Sequence, residues 1–456
     1  MADLEWWIVR SWEVGEEQVR HLLRRSLEFT AEEEEAVREI IAEVRRNGDA
    51  ALLHYTSRFD GVQLQASELS VSEEELRRAE REVSPRFKEA LTLARERILD
   101  FHRRQVRQSL LVPEGDGSFL GLLYLPLRRV GVYVPGGRAP YPSSVLMNVL
   151  PAVVAGVQEI VLVTPPRRDK SVDPHILVAA RVAGVQKIYR VGGAQAVAAL
   201  AYGTATIPRV DKIVGPGNVY VTLAKRLVFG QVGIDLLAGP SEVAVVADET
   251  ADPTLVAADL LSQAEHDPEA ASLLFTPSEQ LARQVAKELE KQLEDLPRRE
   301  VAVAALARHG FCLVVRSLAE ALEWVNELAP EHLELMVSDP WRWLGRVQRA
   351  GAVFLGHSTP EPVGDYLAGS NHVLPTHGTA RFSSGLGVED FCRRLSVVQW
   401  TPERLQELGW AIEELAAVEG FQAHAQAVRL RLPKAANRLA PGEDRPAAGR
   451  GGRKSG

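Results

Sequence analysis

Cysteine is scarce. The 456-residue chain holds only Cys312 and Cys392, too few for a disulfide framework, which points to a reducing compartment. Long apolar runs are also missing. The most apolar stretch, around Val149–Val157, falls far short of the ~20 residues that span a bilayer. The opening MADLEWWIVRSWEVGEE places acidic residues at Asp3 and Glu5 with no apolar core behind a basic start, so no secretory signal is expected. Positive charge is not in excess: 61 acidic against 53 basic residues give a net charge of −8. Nothing in that balance argues for a nucleic-acid or anionic-membrane partner, which would call for a basic face. No internal repeat is found. What is present is an ordinary globular composition, 46% apolar and 25% charged, in a chain long enough to bury its core without staples. A cytoplasmic protein of about three domains is expected.

The early chain reads as helix. Leu22, Leu23 and Leu27, then Val37, Ile40, Ile41 and Val44, fall at helical spacings within residues 15–57, and residues 73–108 repeat the pattern. From residue 128 the texture changes to short apolar runs alternating with helical stretches. The runs are RVGVYVP (129–135), EIVLVT (159–164), KIYRV (187–191), KIV (212–214) and EVAVVA (242–247). Strands alternating with helices in this way indicate βαβ units and a parallel sheet. A second such region covers about 251–381, with helices at 253–265, 278–294 and 317–328 and strands near 301–306, 311–316 and 351–355. A loop-rich stretch (356–389) and two C-terminal helices follow, and the Gly-, Pro- and Arg-rich tail is expected to be disordered.

In parallel α/β sheets ligands bind beyond the carboxyl ends of the strands. The loops VPGGRAPYP, VGGAQA, GPGNVY and AGPSE are read at such ends. None completes the G-x-G-x-x-G fingerprint, because GPGNVY has Val219 and Tyr220 where the third glycine is needed. Turn chemistry alone would account for these glycines.

Of eleven histidines, those worth weighing lie in the second half. In SQAEH, Gln263 and His266 are three apart and share a helix face, a spacing that suits two ligands of one metal but is common by chance. In APEHLEL, a turn at Pro330 can present Glu331 and His332 together, and a carboxylate beside an imidazole could supply two bases to one site. The loop from Pro360 through Asp365 to His372 is dense in Gly, Pro and polar groups, a composition more typical of binding loops than of filler. Glu419, at the start of the last helix and five residues before His424, is explained equally well by the helix dipole. A mixed set of histidine, amide and carboxylate suits Zn²⁺ or a similar divalent ion without thiolate, although spacing alone cannot choose among these residues.

Taken together and in order, RRVGVYVPGGRAPYPSSVLMNVLPAVVAGV, GGAQAVAALAYGT, GPGNVYVTLAKR, AGPSEV, DLLSQAEHDPEA, APEHLEL, GDYLAGSNHVLPT and EGFQAHAQAV resemble histidinol dehydrogenase across residues 15–433. The resemblance implies an enzyme that oxidises L-histidinol through L-histidinaldehyde to L-histidine, the last steps of histidine biosynthesis, with two NAD⁺ and one water. It implies one Zn²⁺ per subunit held by Gln263, His266, Asp365 and His424, and a catalytic pair Glu331 and His332. It further implies cofactor contacts at Tyr133, Gln195 and Asn218. Substrate contacts would fall on Ser241 and Glu419 together with His332 and the metal ligands, and His372 matches a family histidine. In that family Glu419 and His424 come from the partner subunit, which implies a homodimer with shared active sites.

The fold expected is α/β, with parallel-sheet, incomplete Rossmann-like βαβ domains, a helical N-terminal segment and a small helical C-terminal domain. Residues 1–30 would form a helical arm, and 31–130 with 241–381 the domain carrying metal and catalytic residues. Residues 131–240 would bind NAD, 382–433 would reach the partner's site, and 434–456 would be a disordered tail. His332, at a histidine's usual pKa of about 6.5, would make activity rise with pH through that region. Cys312 and Cys392 lie outside every motif, which argues against a thioester route. Two competing readings are a relative acting on another small polar alcohol and a catalytically silent zinc-binding or scaffold protein. Ser241, Glu419 and His424 all match the family, against the first, and the Glu331–His332 pair argues against the second.

Overall fold

The computed structural model describes residues 7–24, 28–136 and 140–433. The expected tail, and Gly137, Arg138 and Ala139 of the first strand-end loop, lie outside the described residues. In chain order the strands are β1 (Ile8–Arg10), β2 (Leu110–Pro113), β3 (Phe119–Pro126), β4 (Arg129–Tyr133), β5 (Glu159–Thr164), β6 (Lys187–Arg190) and β7 (Lys212–Val214). They continue with β8 (Gly233–Ile234), β9 (Glu242–Ala247), β10 (Ala271–Thr276), β11 (Phe311–Val314), β12 (His332–Met336), β13 (Ala352–Leu355) and β14 (Cys392–Gln399). The chain divides into two compact units, one of residues 1–106 with 126–393 and one of residues 107–125 with 394–456.

The first unit carries two parallel sheets. One has five strands in the order β6-β5-β4-β7-β8. The chain winds outward from β4 to β6 and then returns to the other side of β4. This is the doubly wound order with one strand fewer than a full Rossmann sheet, and its switch point lies between β4 and β7. The strands read as continuous apolar runs because helices cover both faces. The helix Pro142–Ala155 is accordingly buried from Ser144 to Ala152. It contains Pro151, which has no N–H, so the Met147 carbonyl four residues earlier loses its helical partner. Asn371, far along the chain, donates its side-chain N–H to that carbonyl at 2.8 Å.

The second sheet has six parallel strands in the order β1-β11-β10-β9-β12-β13. Its central strands β9, β10 and β12 are buried along their whole length.

Three expectations are corrected. The N-terminal arm is not purely helical, since Ile8–Arg10 pairs with β11 as an edge strand. Residues 301–306 are not a strand but part of the helix Arg299–His309. Its buried residues Ala302, Ala305 and Leu306 follow the i, i+3, i+4 pattern that the short apolar run concealed. The helical segment after residue 31 does not group with 241–381. Val37, Ile40, Ile41 and Val44 share a core with Val161, Val163 and Leu200 of the five-stranded half. Residues 69–71 also extend the β6 edge, with Val71 N donating to Ile188 O and Arg190 N to Leu69 O, both at 2.9 Å.

The second unit is a three-stranded sheet, β14-β3-β2, with the helices Pro402–Val418 and Gln422–Arg429. The C-terminal segment expected to be helical therefore begins with a strand. Its helix Pro402–Val418 starts at a Thr401 cap, and Arg404 bridges to Glu114 and Asp116. Among the described residues no helix is long and apolar enough to cross a membrane.

Candidate active site

Three predicted cofactor residues come from loops at the carboxyl edge of the five-stranded sheet. Tyr133 ends β4, and its hydroxyl accepts from Gly193 N at 3.1 Å. Burial pushes that phenol up to about 12. Gln195 is buried on the helix Gly193–Tyr202, and both polar atoms of its amide lack a partner. Two unpaired buried groups are costly, and a polar ligand could satisfy both. Asn218 caps the next helix, its side chain accepting from Val221 N at 3.1 Å. Gly215, with φ at +112°, passes so close to Tyr133 that a Cβ would collide with the Tyr133 carbonyl. Only glycine allows β4 and β7 to meet that way at the switch point.

AGPSE connects the carboxyl end of β8 to the amino end of β9. It therefore leads from the first sheet into the starting edge of the second, where Glu331 and His332 are found. Glu331 and His332 stand at the amino end of β12, beside β9. Both are buried. Glu242 N donates to Glu331 Oε2 at 3.0 Å, and His332 Nδ1 lies 3.0 Å from the Glu242 carbonyl. A carbonyl can only accept, so Nδ1 carries the proton and Nε2 holds the lone pair. His332 Nε2 has no hydrogen-bond partner. Glu361 Oε1 is 3.7 Å from it, and Glu331 Oε2 is 3.7 Å from Nδ1.

Burial drives these groups apart from their ordinary values. It lowers His332 to about 4, against a smaller upward pull from the Asp365 charge. It raises Glu331 well above the usual carboxylate range, opposed by the hydrogen bonds from Glu242 N and the Ser241 side chain. The expectation of a histidine near 6.5 is thus corrected, because an imidazole stripped of water resists charging.

The remaining first-unit residues gather around this pair. Asp365 is on the short helix Glu361–Tyr366, which the sequence reading took for loop. His372 Nδ1 contacts the Asp365 carbonyl at 3.2 Å, and its Nε2 lies 3.4 Å from Ser144 Oγ on the other half of the unit. Gln263 and His266 are joined at 2.9 Å, leaving Gln263 Oε1 buried without a partner. The His266 charge reaches both His332 and His372, lowering each. Glu419 and His424 belong to the second unit, where both side chains are exposed.

Sequence reasoning missed a buried acidic group. Glu361 is pushed up to about 9, first by burial and then by the Asp365 charge, while Ser262 hydrogen-bonds to it. Its N–H donates to Glu334 Oε1 at 2.8 Å, and Glu334, raised by burial, pairs with Asp259. His332, Glu361 and Asp365 each offer a ligand atom, all within 4.8 Å of one another. The signal available was the four-residue spacing of Glu361 and Asp365, which puts them on one helix face. Cys312 and Cys392 cannot supply a ready thiolate, since burial raises both thiols.

A doubly wound half-sheet with polar strand-end loops, joined to a second parallel sheet that carries a buried histidine among buried carboxyl groups, is the α/β frame of an enzyme of the family that its relatives show. The family model for histidinol dehydrogenase matches residues 23–432, and the chain belongs to that family. It is 55% identical over 398 residues to histidinol dehydrogenase from Synechococcus sp., covering 87% of this chain and 92% of the relative. It is likewise 55% identical over 413 residues to histidinol dehydrogenase from Geobacillus kaustophilus, covering 90% and 97%. The crystal structure of histidinol dehydrogenase from Elizabethkingia anophelis superposes with a TM-score of 0.88 at 36% identity, covering 93% of this chain and 97% of that one.

Proposed function

We propose that this chain oxidises L-histidinol through L-histidinaldehyde to L-histidine, using two NAD⁺ and one water, as the last steps of histidine biosynthesis in the cytoplasm. The observation that carries the reading is the buried His332, whose tautomer is fixed by the Glu242 carbonyl so that the lone pair on Nε2 is free.

In the first oxidation His332 Nε2 takes the proton of the substrate hydroxyl. The cation formed on the ring is favoured by the nearby Asp365 charge, the one carboxylate that pulls His332 upward. Glu331 is the base for the water that adds to the aldehyde, and a raised pKa makes it a stronger base once ionised. Ser241, hydrogen-bonded to Glu331, and His372 line the same centre. Gln263, His266 and Asp365, with His424 of the partner subunit, would hold one Zn²⁺. The unpartnered Gln263 Oε1 and the mixed N/O donor set fit such an ion. Tyr133, Gln195 and Asn218 would hold NAD⁺, and the two empty polar atoms of Gln195 fit an amide or hydroxyl of that cofactor. When bound, the metal supplies positive charge that orients the substrate imidazole and amine, and NAD⁺ accepts hydride.

A homodimer with shared sites accords with the second unit, on which Val398, Trp410, Leu415, Val418 and Phe421 are exposed. Apolar surface of that kind marks an interaction face.

The test is NADH yield with L-histidinol and with other amino alcohols, each with and without chelator. Two NADH per histidinol, lost on chelation, is expected. One NADH with a different alcohol would replace the substrate assignment, and no NADH with any of them would refute the reading.

A further inference from the structure

A buried ion pair lies against Gly215, at the start of the turn Gly215–Asn218. Lys225 is on the helix Val219–Val228, and Asp235 follows β8 directly. Their side chains, 3% and 1% exposed, form a salt bridge. Both grip a single residue: Gly215 N donates to Asp235 Oδ2 at 2.7 Å, and Lys225 Nζ donates to the Gly215 carbonyl at 3.0 Å. Asp235 is in turn tied to the sheet by its own N–H, which donates to Ile213 O at 3.2 Å.

A pair this deeply buried is a poor way to gain stability. Removing two charges from water is costly, and apolar side chains of equal volume often hold a core as well or better. What the pair supplies is direction. Gly215 has no side chain and an unusual φ, so nothing intrinsic fixes its peptide plane. The ion pair fixes both its N–H and its C=O. The same strand exit then continues toward the chemistry. Thr222 Oγ1 donates to Ala238 O at 3.0 Å, Gly239 N donates to Thr376 Oγ1 at 2.8 Å, and Glu242 N holds Glu331.

We propose that Lys225 and Asp235 are positioning residues for the cofactor, acting through Gly215 to set the turn Gly215–Asn218 at the switch point. This rests on the NAD⁺ reading given above. Both side chains are buried against each other and Gly215, so they would act through that residue. Their joint loss is expected to loosen cofactor binding and leave histidinol binding alone.

The experiment uses the full chain with Lys225→Met/Asp235→Leu, which removes both charges together, and the single changes Asp235→Asn and Lys225→Arg. NADH binding is followed by the coenzyme's own fluorescence, beside KM for each substrate, kcat and thermal melting. The double variant should bind NADH at least tenfold more weakly and raise KM for NAD⁺ in parallel. Its KM for histidinol should stay within twofold. Lys225→Arg, which keeps the charge and the donor, should recover most of the affinity. A folded double variant with NADH affinity within twofold of the parent overturns the proposal. If the double variant does not fold, Asp235→Asn decides by the same criteria. A parent protein that binds no NADH overturns the cofactor reading and this proposal with it. Parental binding together with unaffected variants overturns this proposal alone.

Discussion

The two oxidations should respond differently to pH. In the proposed mechanism His332 works as the neutral imidazole, and burial lowers it to about 4. At pH 5 a histidine at the ordinary 6.5 would be only about 3% neutral, whereas one at about 4 is about 90% neutral, a difference of about thirtyfold. In the same mechanism Glu331 works as the carboxylate, and its raised pKa delays ionisation to higher pH. The alcohol step should therefore stay nearly level from pH 5 to 8, while the aldehyde step climbs with pH above the usual carboxylate range. Single-turnover stopped flow at saturating histidinol reads the first NADH, and histidinaldehyde supplied directly reads the second. Glu331→Gln should cut the aldehyde step by about 10²–10⁴-fold, the usual worth of a general base, and spare the alcohol step. His332→Ala should lose both. A thirtyfold fall in the first step between pH 8 and 5, centred near 6.5, would refute the burial argument. Equal loss of both steps in Glu331→Gln would refute the division of labour.

Other outcomes are open to simpler checks. Asp60 is raised to about 6 by burial and its Oδ2 has no partner. A carboxyl whose folded pKa exceeds its unfolded one loses stability as pH rises from about 4 to about 6. After allowance for partial exposure, Asp60→Asn should gain about 1–2 kcal/mol at pH 7 in urea unfolding and little at pH 4; an equal gain at both would contradict the assignment. Asn371→Ala strips the partner from the Met147 carbonyl and should cost about 1–3 kcal/mol in the same assay, so a neutral result would show that bond to be idle. Cys312→Ala with Cys392→Ala should keep turnover, and loss of the aldehyde step alone would revive a thioester route. Mixing inactive His332→Ala and His424→Ala proteins should restore activity if sites are shared, and a mixture that stays dead would argue for sites complete within one chain.

The family was legible because its residues sit in long ordered motifs, which also name the candidate site, and most of the helices were legible because their apolar stripes keep a period. The site's context was less legible. The pKa of His332 depends on the Glu242 carbonyl and on burial between strands, which adjacency in EHLEL does not reveal. The buried position of Glu361 was hidden because six residues containing Pro362 and Gly364 looked like loop rather than a helical turn. The apolar run at 301–306 was too short to distinguish strand from helix. The attachment of the early helices followed from long-range packing of Val37 to Val44 on the first sheet, which one sequence does not encode visibly.

Pro151 and Asn371 constrain how this enzyme can be recombined. Each is tolerable only beside the other: the proline alone would leave a buried carbonyl empty, and the asparagine alone would meet a carbonyl already engaged by its helix. A chimera that takes its first sheet from one parent and its histidine loop from another inherits either a matched lock and key or a fault. Breeding between relatives should therefore treat these two positions as a single inherited unit.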